Sequence, residues 1–126
     1  MRVLLDTVTF ILAVQSPLGL PPKVVQILQN AGNLRELSAI SLTEIAMKTA
    51  TGKLTFSREA VLQGIADLEL RLLAFTAQHA LDLFRLPMHH RDPFDRQIIA
   101  QALAEDIPVV TCDQQFRLYK PLSVIW

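Results

Sequence analysis

Cysteine occurs once in the 126-residue chain, at Cys112. A lone thiol can form no disulfide within the chain and no paired-cysteine zinc knuckle, so a reducing cytoplasm is the expected location. Net charge is also lacking, because 12 Lys and Arg offset 12 Asp and Glu for a formal +0. That balance excludes an electrostatic nucleic-acid binder of the histone or repressor kind and confines any nucleic-acid contact to a local or metal-dependent site. Long apolar runs are missing too. The longest stretch free of Asp, Glu, Lys and Arg, residues 7–22, is broken by Gln15, Ser16, Pro17, Gly19, Pro21 and Pro22, so no membrane span is expected. Arg2 followed by the apolar residues 10–14 has the outline of a signal peptide, but Asp6 interrupts it and no small-x-small cleavage site comes after. Repeats, linkers and low-complexity segments are absent as well.

What is present is apolar substance for a core: 51% hydrophobic residues against 19% charged ones, which places the chain among folded globular proteins. Size scaling gives a folded surface of about 6,700 Å² against about 20,000 Å² unfolded, enough burial for a single domain over residues 1–126 without a staple. Val3-Leu4-Leu5 ends at Asp6 and reads as a strand buried on both faces. A short helix comes next over 7–14, then a breaker cluster at 17–22 and a helix over 23–30 stopped by Gly32 and Asn33. Residues 37–40 read as a second strand, 41–50 as a helix ending near Gly52, and the segment from Ser57 as a helix with Val61, Leu62, Ile65 and Leu68 in phase. A third strand is expected over 70–75, a helix over 78–86 stopped by Pro87, and an amphipathic helix over 94–105. A fourth strand, 108–111, and a fifth, 122–125, complete the alternation. Strands separated by helices mean βαβ units, a mostly parallel sheet of about five strands, and a three-layer α/β/α fold.

In such a sheet ligands bind beyond the carboxyl ends of the strands. Asp6 ends the first strand, Glu44 lies a helical turn beyond the second, Asp92 and Asp95 open the long helix, and Asp113 comes directly after the fourth strand. Each acid has an ordinary structural explanation. Ser41-Leu42-Thr43-Glu44 matches a capping box, Asp92-Pro93-Phe94-Asp95 reads as an N-cap with proline at the first helical position, and Asp6 and Asp113 can each cap the helix after it. Taken together they suggest more, because asparagine or serine would cap equally well. Carboxylates brought to one edge repel each other, which a divalent cation relieves, and oxygen donors without cysteine suit Mg²⁺ or Mn²⁺. Such an ion activates water and neutralises charge on a phosphodiester. Thr7 and Thr111, beside Asp6 and Asp113, could orient the ligands through their hydroxyls, against the plainer explanation of ordinary capping or strand propensity.

The segments Leu4-Leu5-Asp6-Thr7, Ser38-Ala39-Ile40-Ser41-Leu42-Thr43-Glu44-Ile45-Ala46, Gly52-Lys53-Leu54, His90-Arg91-Asp92-Pro93-Phe94-Asp95-Arg96 and Thr111-Cys112-Asp113 resemble PIN-domain proteins, specifically the VapC-type toxins of bacterial toxin–antitoxin pairs. Asp-Pro-Phe-Asp-Arg followed by Ile98-Ile99-Ala100-Gln101-Ala102 is the most specific part. The resemblance implies a PIN-like fold and a Mg²⁺- or Mn²⁺-dependent endoribonuclease. Asp6, Glu44, Asp95 and Asp113 take the positions of the acidic quartet, with Asp92 a neighbouring acid that caps the helix. It further implies a structured RNA substrate such as transfer or ribosomal RNA, a small cognate antitoxin, and a homodimer. Where the family often carries His and Trp after the first Asp-Thr, and Trp before the Glu, this chain has Val8, residues 9–13 and Thr43, which leaves the identity of the RNA open.

His89, His90 and Arg91 precede the acidic helix, with Arg85 and Arg96 near in sequence. His90, Arg91 and Arg96 are candidates for RNA-phosphate contacts, against the plainer reading of a solvated loop whose charges offset nearby acids. Lys53 comes after Gly52 but Met47 stands where a phosphate-binding loop needs glycine. Cys112 reads as a small buried residue, not a nucleophile. Two rival readings are a phosphate-responsive receiver domain and a degenerate PIN fold that binds protein or RNA without catalysis. The receiver reading lacks a phospho-accepting Asp at the third strand, where Thr76 and Ala77 stand, and a lysine after the last strand. Intact acids weigh against the degenerate reading.

Overall fold

The computed structural model describes residues 1–126. Five strands, β1 (Arg2–Leu5), β2 (Leu34–Ser38), β3 (Arg71–Leu73), β4 (Val109–Val110) and β5 (Val124–Ile125), form one sheet in the order β3-β2-β1-β4-β5 with every pairing parallel. β1 is the centre: Leu4 faces Glu36 of β2 on one side and Val109 of β4 on the other. A strand paired on both edges and covered on both faces has no use for alternation, which is why Val3, Leu4 and Leu5 are all apolar and fully buried.

Six α-helices connect the strands: α1 (Thr7–Gln15), α2 (Pro22–Gln29), α3 (Ala39–Ala50), α4 (Arg58–Asp67), α5 (Ala77–Asp82) and α6 (Pro93–Glu105). Short 3-10 turns at Pro17–Gly19, Leu83–Arg85 and Gln114–Leu118 complete the set. Side chains of the sheet divide between two cores. Val3, Leu5 and Leu37 pack with Phe10, Val24 and Val61 of α1, α2 and α4, while Leu4, Leu73 and Val109 pack with Ile98, Ile99 and Phe116 on the α6 side. The result is three layers, and its accessible surface of 7006 Å² lies close to the size-scaling expectation. No helix is long and apolar enough to cross a membrane.

Most elements fall where the pattern places them, and the exceptions have physical causes. The second strand spans Leu34–Ser38, not 37–40. Arg35 and Glu36 are polar, yet both are buried inside it, because Glu36 meets Arg2 Nε at 2.6 Å and Arg71 at 3.7 Å, and Arg35 reaches Glu69 at 3.2 Å. Paired charges thus stand where an apolar run would be sought. Helix α3 accordingly starts earlier, at Ala39, capped by Ser38, whose Oγ accepts from the Ile40 amide at 3.0 Å. The expected Ser41–Glu44 capping box does not form, since both residues lie inside the helix and have other partners. The helix expected over 78–86 is the shorter α5, started by a Thr76–His79 capping box and ending in the Leu83–Arg85 turn. Cys112 is exposed, not buried: Thr111 points inward, and the next side chain along an extended backbone points out.

Candidate active site

Helix and turn starts at the carboxyl edge of the sheet fix the acids in place. Asp6 leaves β1 and caps α1, its Oδ1 accepting from the Thr9 amide at 2.9 Å while Oδ2 accepts from the Thr111 hydroxyl at 2.6 Å. It is only 2% exposed, and burial pushes its carboxyl above the usual range against those hydrogen bonds, with the Asp113 charge adding to the rise. Thr111 joins two acids, because its Oγ1 also accepts from the Asp113 amide at 3.0 Å. Asp113 in turn caps the Gln114–Leu118 turn, accepting from the Gln115 amide at 2.9 Å.

Asp92 caps α6, one oxygen accepting from the Phe94 amide at 2.9 Å and from the Asp95 amide at 3.0 Å. Proline at the next position costs no hydrogen bond there. Asp95 sits in the first turn of α6 and is pushed up to about 6, chiefly by burial and further by the charges of Asp92, Asp6 and Glu44, against the lowering effect of a hydrogen bond with His90. Glu44, in the second turn of α3, is 4% exposed. Its Oε2 accepts from Lys48 Nζ at 2.5 Å, and its Oε1 is buried with no partner. The Lys48 ammonium is held above its usual range, first by Glu44 and then by Asp92 and Asp95.

Asp6, Glu44, Asp95 and Asp113 therefore share one electrostatic field. Of the threonines, Thr111 holds Asp6, whereas Thr7 donates to Ser41 Oγ at 2.9 Å and ties α1 to α3. The basic residues separate. His90 Nε2 lies 2.8 Å from Asp95 Oδ2 and 3.4 Å from Asp113 Oδ2. Arg91 is exposed. The Arg96 guanidinium turns away toward the loop before α6, donating to the carbonyls of Pro87 at 2.7 Å and Leu86 at 3.2 Å and to Tyr119 Oη at 3.2 Å. Sequence reasoning missed Lys48, took Ser41 for a helix cap and not for the partner of Thr7, and missed Tyr119. The first was readable as an i,i+4 partner of Glu44; the other two act across the fold and leave no local signal.

The residues fit a divalent cation. The raised proton affinity of Asp6 and Asp95, together with a buried, unpartnered Glu44 oxygen, marks a site that a positive charge would relax. Cys112, though exposed, is a poor nucleophile, because loss of solvent around its sulfur and the charges of Asp6 and Asp113 push its thiol up.

The sequence pattern of the PIN domain matches residues 3–120. The chain belongs to the PIN domain family. No curated protein sequence matches it. Among solved structures, the PIN chain resembles the VapBC2 complex of Rickettsia felis, bound to a DNA fragment from its promoter, with a TM-score of 0.74 at 18% identity, covering 99% of this chain and 98% of that one. The DNA-bound VapBC of Salmonella typhimurium gives a TM-score of 0.70, 20% identity and coverage of 99% and 97%. VapBC-1 of nontypeable Haemophilus influenzae gives 0.64, 21% identity and coverage of 99% and 97%. At these identities the likeness is one of fold. Family membership, together with the order β3-β2-β1-β4-β5 in place of the receiver order 2-1-3-4-5, removes the receiver reading.

Proposed function

We propose that this PIN domain is a VapC-type toxin, a metal-dependent endoribonuclease that cuts a structured RNA of the transfer or ribosomal class. The observation that carries the reading is the convergence of Asp6, Glu44, Asp95 and Asp113 on one edge of the sheet, with a buried Glu44 oxygen lacking any partner. Asp6, Asp95 and Asp113 would hold a Mg²⁺ or Mn²⁺ ion, with Glu44 either joining them or acting through a water. When bound, the ion supplies water activation and neutralises charge on the scissile phosphodiester.

The chain's own groups prepare that chemistry. Thr111 fixes Asp6 and, through the Asp113 amide, the backbone that presents Asp113. Lys48 restrains one Glu44 oxygen and leaves the other free. Arg91, exposed and one residue before the cap of the acidic helix, is a candidate for an RNA-phosphate contact. Burial of the acids keeps the local dielectric low, so fixed charges act strongly on a phosphate brought to them.

A cognate antitoxin is the second partner, and the resemblance in fold to chains from VapBC complexes supports it. A largely apolar groove of about 450 Å³ between α3 and α4, lined by Leu42, Ile45, Phe56, Val61 and Leu62, offers such a protein a landing surface. Leu81, Phe84 (89% exposed) and Met88 give a second copy of the chain somewhere to pack, as a cytoplasmic homodimer would.

The test is 5′-end sequencing of RNA after brief expression in a bacterial host without antitoxin, beside an Asp6→Asn control. The expected outcome is new ends confined to one RNA, with Asp6→Asn folded and at least about 100-fold slower, the scale of losing charge stabilisation at a reacting centre. Cleavage by the variant at the wild-type rate would remove Asp6 from the chemistry.

A further inference from the structure

His90 stands inside the acid cluster, not beside it. Its Nε2 and one oxygen each of Asp95 and Asp113 all lie within 4.8 Å of one another, and its side chain is 13% exposed. The ring is delivered there by a fastened loop. The His90 amide donates to Tyr119 Oη at 2.7 Å, the His89 amide to the same oxygen at 3.1 Å, and Arg96 to that oxygen and to the Leu86 and Pro87 carbonyls. Tyr119 is itself buried. A histidine that merely offset neighbouring acids would need no such anchoring, since a mobile cation screens them as well. Independently, the buried Glu44 Oε1 lacks a partner, and the Glu44 carboxylate acts on Asp95, so the cluster is short of a positive centre even with His90 in place.

We propose that His90 is a metal ligand, and that it makes the centre a mixed nitrogen and oxygen site that takes Mn²⁺ in preference to Mg²⁺. In the metal-free protein Nε2 faces Asp95 Oδ2 at 2.8 Å and donates its proton there. On metal binding that proton would be released to solvent, leaving a neutral imidazole with its proton on Nδ1 and an Nε2 lone pair for the metal alongside the Asp95 and Asp113 oxygens. Mg²⁺ favours an all-oxygen set with retained waters, whereas imidazole nitrogen raises affinity along the first-row transition series. The opposite role is equally definite: a histidine serving as an internal counter-ion would have to be displaced by the metal, and removing it would tighten binding. The inference rests on the metal centre of the proposed function but not on its RNA or its cleavage activity.

The full chain, stripped with EDTA, is titrated with Mn²⁺ and with Mg²⁺ by calorimetry, as wild type, His90→Ala and His90→Gln. The same Mn²⁺-loaded wild type, grown with ¹⁵N-histidine, is probed by electron spin-echo modulation. The expected results are a histidine nitrogen signal on Mn²⁺ and a fall in Mn²⁺ affinity of about tenfold or more in both variants, with Mg²⁺ affinity changed less. Unchanged or tighter Mn²⁺ binding in the variants, or Mn²⁺ bound without the nitrogen signal, overturns the proposal. The labelled wild type needs no substitution, so a variant that fails to fold does not protect it. Failure to bind Mn²⁺ at all overturns this proposal and the metal centre together, whereas binding without a nitrogen signal overturns this one alone.

Discussion

Asp6 caps a helix and, in the proposed function, would also serve the reactive centre. Oδ1 is committed to the Thr9 amide and Oδ2 to the Thr111 hydroxyl, yet burial still holds the carboxyl above its usual range. Asp95 is under the same tension, pushed from an ordinary value of 3.8 up to about 6. Linkage fixes the sign of the consequence. A carboxyl with a raised folded-state pKa binds its proton more tightly folded than unfolded, so it favours the fold below about pH 4 and that contribution is lost as pH rises through about 6. Metal-free protein should therefore weaken between about pH 4 and 7. Asp95→Asn, which has no proton to lose, should be more stable than wild type by about 1–2 kcal/mol at pH 7.5 in EDTA, after discounting the full shift for solvent screening, and nearly level with it at about pH 3, below the unfolded-state value. Urea unfolding at the two pH values decides it. A variant no more stable than wild type at pH 7.5 would show that the Asp95 environment is not strained by its charge.

Among the elements, α1 and α4 approach closely enough to explain a residue that helix propensity disfavours. A Cβ on Gly64 would lie 2.6 Å from Val14 Cγ2 and 3.3 Å from Phe10 Cζ. On an exposed helix Gly→Ala stabilises by about 1 kcal/mol, but here overpacking against buried Phe10 opposes it by about 1–3 kcal/mol. Gly64→Ala should thus unfold at lower urea than wild type, and a rise in midpoint would mean that Val14 yields freely. Legibility in the sequence obeys the same local logic. Asp92 as a cap was readable because its partners, Phe94 and Asp95, lie two and three residues along. The start of α3 was not, because the charges of Arg35 and Glu36 masked a buried strand and made Ser41, not Ser38, look like the cap. Chain order brought the four acids to one edge, so the cluster could be anticipated, whereas the His90–Asp95 contact depends on a loop tied back to Tyr119 and no spacing rule reports it. Arg96 illustrates the converse: its nearness to the acids in sequence pointed to phosphate, while the fold directs its guanidinium to loop carbonyls.

For the molecule as a whole, a formal charge of +0 joined to a concentrated acidic site constrains how the proposed RNA substrate would bind. Phosphates approaching the metal-free cluster meet repulsion, and the cations beside it are few: Lys48 is held by Glu44, Arg96 by carbonyls, and Arg91 is exposed. In the proposed function, affinity for RNA is then expected to come mainly through the divalent ion, not from a broad basic surface. Each phosphate neutralised by a side chain contributes about −0.7 to the slope of log K against log salt for single strands, so a slope no steeper than about −3 is expected in Mn²⁺. EDTA should weaken RNA binding as well as stop cleavage. Anisotropy of a labelled RNA, read within seconds of mixing so that little is cut, measures both quantities. A slope near about −7, with binding indifferent to EDTA, would mean that RNA docks on another face through a basic patch, and that the acid edge acts only on a strand already held elsewhere.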